Sequence, residues 1–293
     1  RHQSGAVHHT YPPAFATMKL SLWIRRSAAA HPDSEAALLE TRHLAAFVTG
    51  LSLTQQRIHD PDLSADAVAT LDALATRLHA GEPLAYLLGN QSFYGLDLAV
   101  SRATLIPRSD SEAVVERALH HLRDVTRPTV LDLGTGSGAL ALAIAAARPD
   151  ADVTGSDQSA AALAVAMENA RRLGMPNVRF WHGDWLAPFA DESADLIISN
   201  PPYIAPDDPH LAALSHEPLS ALVAAEDGYR DLNVIMDDAP RVLKTGGWLI
   251  MEHGWQQGDA LRARAARYPA WQHIATGQDY ARRDRYTEMQ KGG

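Results

Sequence analysis

From Lys19 to about Ala80, apolar residues recur at three- and four-residue spacing, as in Leu38, Leu39, Phe47 and Val48, and again in Leu71, Leu74 and Leu78. That period turns one face of each segment toward a core and predicts a small all-helical domain with short connections. His31-Pro32-Asp33 reads as a break with a cap, and Ser64 as a second N-cap. Near Gly81 the pattern changes. Phe93 to Ile106 partly alternate apolar and polar positions around turn residues, which predicts a β-hairpin joining two domains and closed by Pro107.

Beyond Asp110, short apolar runs alternate with helical ones. Helices are expected at Ser111–Leu122, Ala139–Ala147, Ser159–Leu173 and about Leu232–Leu243. Strands are expected at Val130–Leu133, Val153–Ser156, near Val178–Trp181 and Leu196–Ser199, and at Trp248–Glu252. Repeated βα units of this length imply a mostly parallel sheet covered on both faces. The plan is therefore residues 18–90 helical, 91–107 a hairpin linker and 108–293 an α/β domain. Residues 1–17 read as a disordered extension or cloning remnant.

Composition narrows the classes. With 293 residues and 46% hydrophobic content, the chain can bury a sizeable core. The longest apolar run, Ala139 to Ala147, is far short of the roughly 18 residues a membrane span needs. The absence of cysteine excludes disulfides, zinc–thiolate sites and thiol nucleophiles, and fits a reducing cytoplasm. A net charge of -9 argues against stable nucleic-acid binding and leaves room for a basic protein partner. No metal site is expected: His120-His121 reads as a solvated helix face, and His8-His9 as incidental.

Val130 to Gly138 (VLDLGTGSG) runs from a strand into a helix. Glycines 134, 136 and 138 let the backbone turn sharply and admit a ligand without a Cβ clash. With Thr135 and Ser137 they make a candidate cofactor cradle, whose helix N-terminus offers free N–H groups to an anionic group. Gly134, Gly136 and Ala139 also satisfy G-x-G-x-x-A, so a nicotinamide cofactor stays open at this point. Asp157 ends the next strand, where a carboxylate can accept from ribose hydroxyls under either reading. Asp132, two residues before the first glycine, tips the balance toward the class I methyltransferases, in which an acidic residue there steadies the loop.

Asn200-Pro201-Pro202-Tyr203 follows an apolar strand. The prolines fix φ and push Asn200 away from helical geometry, so the corner is stiff. If its strand neighbours the first strand, the corner and the glycine loop face one crevice. An amide nitrogen is a poor nucleophile because its lone pair is delocalised. Two acceptors for its N–H groups can free that pair. The Asn200 side-chain oxygen and the Pro201 carbonyl are the candidates, with Tyr203 packed against the planar group. The motif does not name its substrate, since exocyclic amines of adenine or cytosine present similar N–H pairs.

Several blocks together resemble the peptide chain release factor N5-glutamine methyltransferases (PrmC/HemK family). They are GEPLAYLLG at 81–89, LIPR at 105–108, VLDLGTGSGALALAIA at 130–145, SNPPYI at 199–204, EPLSALVAAEDG at 217–228 and EHGWQQG at 252–258. The resemblance covers about residues 20–280. It implies a class I, S-adenosylmethionine-dependent methyltransferase domain with a Rossmann-like, mostly parallel seven-stranded sheet. It also implies a small N-terminal helical substrate-recognition domain, a hairpin linker, and methylation of the glutamine in the Gly-Gly-Gln motif of class 1 release factors in translation termination.

By the same resemblance, Gly134, Thr135, Gly136, Ser137, Gly138 and Asp157 hold the cofactor, Trp185 lies against its adenine, and Asn200 touches both cofactor and substrate. Pro201, Pro202 and Tyr203 complete the glutamine pocket. The protein is then cytoplasmic and monomeric. Two departures stand out: Ser109 where the family usually has proline, and Ser111 where it usually has threonine. The end from Asp279 is more charged than the family's usual final strand, through Arg282-Arg283-Asp284-Arg285.

Other residues carry weaker expectations. Arg108 is balanced between a substrate contact and a salt bridge. His253 and Trp255 are expected in a buried second layer, and Trp181 in the core. The runner-up activity is methylation of an adenine amine in nucleic acid, with base flipping. Against it, acidic residues outnumber basic ones in residues 19–80. A cofactor-binding module without turnover is the non-enzymatic alternative.

Overall fold

A computed structural model describes residues 17–30 and 34–293. The break expected at His31-Pro32-Asp33 and nearly all of the expected N-terminal extension lie outside the described residues. The chain forms two compact units, divided between Leu88 and Gly89.

The first unit contains β1 (Met18–Lys19), α1 (Leu20–Ala29), α2 (Ser34–Thr49), α3 (Gln55–Ile58), β2 (Asp62–Leu63), α4 (Ala65–His79) and α5 (Leu84–Leu88). The expected apolar face holds for Val48, Leu71, Leu74 and Leu78, which join one core with the fully buried Trp23 and Leu44, whereas Leu38, Leu39 and Phe47 of α2 are exposed. Ser64 caps α4 by accepting the Ala67 N–H at 3.2 Å.

The second unit opens with a hairpin, β3 (Asn90–Phe93) and β4 (Leu96–Ala99), turning at Tyr94-Gly95. The expected hairpin ran to Ile106; the paired strands end at Ala99, and residues 100–108 carry no strand. There follow α6 (Glu112–His121), β5 (Thr129–Leu133), α7 (Ala139–Ala147), β6 (Asp152–Asp157), α8 (Ala160–Arg172), β7 (Val178–His182) and β8 (Ala194–Ser199). The unit closes with α9 (Arg230–Val242), β9 (Leu243–Glu252), α10 (Gly258–Ala265), β10 (Trp271–Gln278) and β11 (Asp284–Lys291).

The seven strands run β10-β11-β9-β8-β5-β6-β7. Pairs β9–β8, β8–β5, β5–β6 and β6–β7 are parallel, and β11 lies antiparallel to both its neighbours. Strand order reverses beside β5, which pairs with β6 on one side and β8 on the other. Ligands of open parallel sheets bind beyond the strand ends at such a reversal. Helix α7 is apolar all round because its residues from Ala139 to Ala145 are all buried.

Buried Asn169 of α8 ties the hairpin to the glycine loop. Its Oδ1 accepts the Ala99 N–H at 2.7 Å, while Nδ2 donates to the Ala99 and Ser137 carbonyls at 3.0 and 2.9 Å. The charged C-terminal segment does close the sheet. Arg285 of β11 is buried there against Asp279 at 3.0 Å and Asp110 at 3.2 Å.

Candidate active site

Leu133 and Ser199 stand opposite each other on β5 and β8, and the Ser199 hydroxyl donates to the Leu133 carbonyl at 2.7 Å. The next residues, Gly134 and Asn200, therefore leave the sheet side by side. Both line a single crevice together with Asp157 and Trp185.

On the β5 side, Gly134, Gly136 and Gly138 have φ of 68°, 55° and 84°, a region costly for residues bearing a Cβ. A Cβ on Gly134 would also sit 3.3 Å from Cζ3 of Trp185, so the indole lies against the loop. Trp185 itself has φ 40°, and burial pushes up the carboxyl of nearby Asp231 of α9. Asp157 accepts the Gly136 N–H at 2.9 Å and the Ser159 N–H at 2.8 Å. A carboxylate has about four lone-pair sites, so acceptor capacity remains.

Asp132 lies beneath this loop. Its Oδ2 accepts from Thr135 Oγ1 at 2.6 Å and the Ala141 N–H at 3.1 Å, and its Oδ1 has no partner. Burial pushes the carboxyl up to about 7. A buried acceptor left over at the crevice wall calls for a donor from outside the chain.

On the β8 side, Pro201 and Pro202 are buried, and Asn200 and Tyr203 half-buried. Asn200 Nδ2 donates to Ser111 Oγ at 3.4 Å, and Ser111 Oγ to Glu252 Oε2 at 2.5 Å. The Tyr203 hydroxyl donates to Glu252 Oε1 at 3.2 Å. Burial pushes Glu252 up to about 7 and, with the nearby Glu252 charge, pushes the Tyr203 phenol up as well. Gln257 clamps the Tyr203 carbonyl through Nε2 at 3.1 Å. Gly228, at φ 89°, passes so close that a Cβ there would lie 2.2 Å from that carbonyl oxygen.

Of the residues expected from sequence, Gly134, Thr135, Gly136, Ser137, Asp157, Trp185, Asn200 and Pro202 line the crevice. Gly138, Pro201 and Tyr203 adjoin those residues in sequence without lining the crevice with their side chains. Gly138 caps α7, where a Cβ would press Leu142 at 3.1 Å, and the Tyr203 hydroxyl points to Glu252. Arg108 also lines the crevice and is ion-paired to buried Glu217. Sequence reasoning gave no site role to Ser111, noted only as a departure from the family, nor to Glu252, Gly228 and Gln257. The last three fall within the blocks that carry the family resemblance, which was the available signal.

Three expectations are corrected. Trp181 is 56% exposed, because β7 is a sheet edge. Trp255 is 59% exposed, whereas His253 is buried and bonded to Thr287 at 2.8 Å. His121 is not solvated: it stacks on Trp248 at 3.7 Å and bonds Glu288 at 2.9 Å. Burial alone would raise the Glu288 carboxyl, but bonds from His121 and Arg117 bring it down to about 2. Among the described residues no cluster of three or more metal-ligating side chains occurs, and no helix is long and apolar enough to cross a membrane.

The sheet order and the crevice at its reversal define a class I methyltransferase. Residues 126–292 match the model of a methyltransferase domain, and residues 23–89 that of the PrmC N-terminal domain. A methyltransferase structure from Pyrococcus furiosus shares the fold at a TM-score of 0.50 and 17% identity, over 74% of this chain and 98% of that one. The release factor glutamine methyltransferase of Yersinia pestis is 42% identical over 92% of this chain and 98% of its own. That of Xylella fastidiosa strain 9a5c is 48% identical over 78% of this chain and 83% of its own. The chain belongs to the release factor glutamine methyltransferase family.

Proposed function

We propose that this enzyme transfers a methyl group from S-adenosylmethionine to the side-chain amide nitrogen, N5, of the glutamine in the Gly-Gly-Gln motif of class 1 release factors. The carrying observation is that the glycine loop and the Asn-Pro-Pro-Tyr corner end adjacent strands and share one crevice.

The residues present fit that cofactor. The left-handed glycine loop leaves an opening that side chains would fill, and the orphaned Oδ1 of Asp132 offers an acceptor to a cationic amine. We assign the ribose hydroxyls to Asp157, the adenine to the Trp185 indole, and the carboxylate to the backbone N–H groups of Gly134 and Ser137, since those of Thr135, Gly136 and Gly138 already serve Ser156, Asp157 and Thr135, with Asn200 at the join. When bound, the cofactor supplies a methyl group on a sulfonium centre, an electrophile that needs no metal.

The chain's own residues supply position and polarity. Asn200 Oδ1 and the Pro201 carbonyl accept the two N–H bonds of the glutamine amide, which raises the electron density available on nitrogen. Buried Pro201 and Pro202 keep those acceptors rigid, and Tyr203 excludes water from the far side. Two glycines before the glutamine let a substrate loop enter a narrow opening. The helical unit is assigned to gripping the protein substrate. The enzyme is taken to act as a monomer in the cytoplasm.

The test is purified protein with S-adenosylmethionine and intact release factor, read by mass spectrometry of the Gly-Gly-Gln peptide. One methyl on that glutamine is expected. Cofactor turnover with that glutamine unmodified removes the reading, and methylation of an adenine-containing oligonucleotide in a parallel arm would move it to the nucleic-acid alternative.

A further inference from the structure

Behind the corner lies a set of hydrogen bonds whose direction matters more than its strength. Glu252, at the end of β9, is 2% exposed, and Ser111, in the short turn before α6, is 4% exposed. Both donors that reach Glu252, the Ser111 hydroxyl on Oε2 and the Tyr203 hydroxyl on Oε1, come from groups with a single proton to give. An ionised carboxylate only accepts. Ser111 must therefore spend its proton on Glu252, and only lone pairs remain for Asn200.

The consequence reaches the crevice. Facing lone pairs, the Asn200 amide turns its Nδ2 toward Ser111, as observed at 3.4 Å. Its Oδ1 is then the atom left to the opening. With the amide reversed, an NH2 group would face the NH2 of the incoming glutamine, donor against donor. The contact is long, and such bonds tighten once a substrate pulls from the other side.

We propose that Glu252 is a positioning residue which, through Ser111 and Tyr203, sets the hydrogen-bond polarity of the corner so that Asn200 accepts from the substrate amide and does not donate to it. This rests on the reading above, in which Asn200 receives a substrate N–H. Glu252 touches neither substrate nor cofactor in this scheme. Its two acceptor oxygens direct two donors from distant segments.

Charges around Glu252 are few. Arg285 of β11 is the nearby cation, and it is shared with Asp279 and Asp110. His253, the residue that follows β9, is held toward its neutral form by burial. Tyr203 is held protonated by burial. With Glu252 raised to about 7, its carboxylate, and with it the correct polarity, is gained as pH rises through that value.

The experiment compares wild type with Glu252→Gln, Ser111→Ala and Ser111→Thr on intact release factor. Methylation by the wild type establishes the underlying reading separately. Glutamine keeps the shape of Glu252 but has one acceptor oxygen, so one of the two donors must reverse or lose its partner. We expect kcat for Glu252→Gln to fall about 10²-fold, with KM for the cofactor changed far less. Ser111→Ala should fall about tenfold, and Ser111→Thr, which keeps the hydroxyl, should recover most of that loss. The wild-type kcat should rise with pH through about 7, and this limb should vanish in Glu252→Gln. Wild-type kcat in Glu252→Gln overturns the proposal. If Glu252→Gln does not fold, Ser111→Ala decides: an unchanged kcat, or a loss that threonine does not recover, overturns it equally.

Discussion

At the end of β5 the loop's partners lie close by in sequence: Asp132 is met by Thr135 and by the Ala141 N–H, and Gly138 caps the helix that follows. At the end of β8 the partners come from far away. Glu252 is met by Ser111 across 141 positions and by Tyr203 across 49, and Gly228 and Gln257 press on the Tyr203 carbonyl. Each half contains a fully buried carboxyl that burial pushes up to about 7. In the first half it stiffens a local turn. In the second it joins three remote segments, so the corner depends on the whole domain being folded.

The contrast predicts that damage at the corner removes turnover while damage at the loop is felt in stability and cofactor affinity. The largest effect is expected from Asn200→Ala, which should lower kcat by about 10²–10³ with a smaller change in cofactor dissociation constant by calorimetry. A rate equal to wild type would break the assignment of the corner. Gly228→Ala should come next. Its Cβ would meet the Tyr203 carbonyl at 2.2 Å, and φ there is 89°, so the corner must shift. A loss of about 1–3 kcal/mol in denaturant unfolding and roughly a tenfold fall in kcat are expected, with cofactor binding retained. A stable, fully active variant would show that the long-range clamp is dispensable.

The smallest effect belongs to the loop. Asp132 has a folded-state value near 7 against an ordinary 3.8. A raised value favours the protonated form in the folded protein. Its contribution is complete below the unfolded value and is lost as pH rises through about 7. Asp132→Asn cannot titrate. From about pH 5 to pH 8 its Tm should therefore fall less than that of wild type, by roughly 2–4 °C. Parallel curves for the two proteins would remove Asp132 as the titrating group.

The loop was readable because its chemistry is contiguous: three glycines between a strand and a helix, with an acid at the end of the next strand. The corner's rigidity was readable for the same reason, since two prolines act on their own neighbours. The partners that aim Asn200 and Tyr203 were not, because no local pattern marks Ser111 or Glu252 as adjacent. Trp181 and His121 show the same limit. Whether an aromatic or a histidine is covered depends on whether a strand lies at the edge of the sheet or a helix packs over it.

Periodicity, glycine conformational freedom and proline restriction are properties of neighbouring residues, and through them the order of residues determined the helical unit, the βα alternation and both strand-end loops. Tertiary structure alone decided that β5 and β8 are neighbours, that Arg285 is buried in a charged terminal segment, and that a carboxylate faces Ser111. Burial and hydrogen-bond direction arise only when segments remote in sequence exclude water together, so no reading of one segment could contain them.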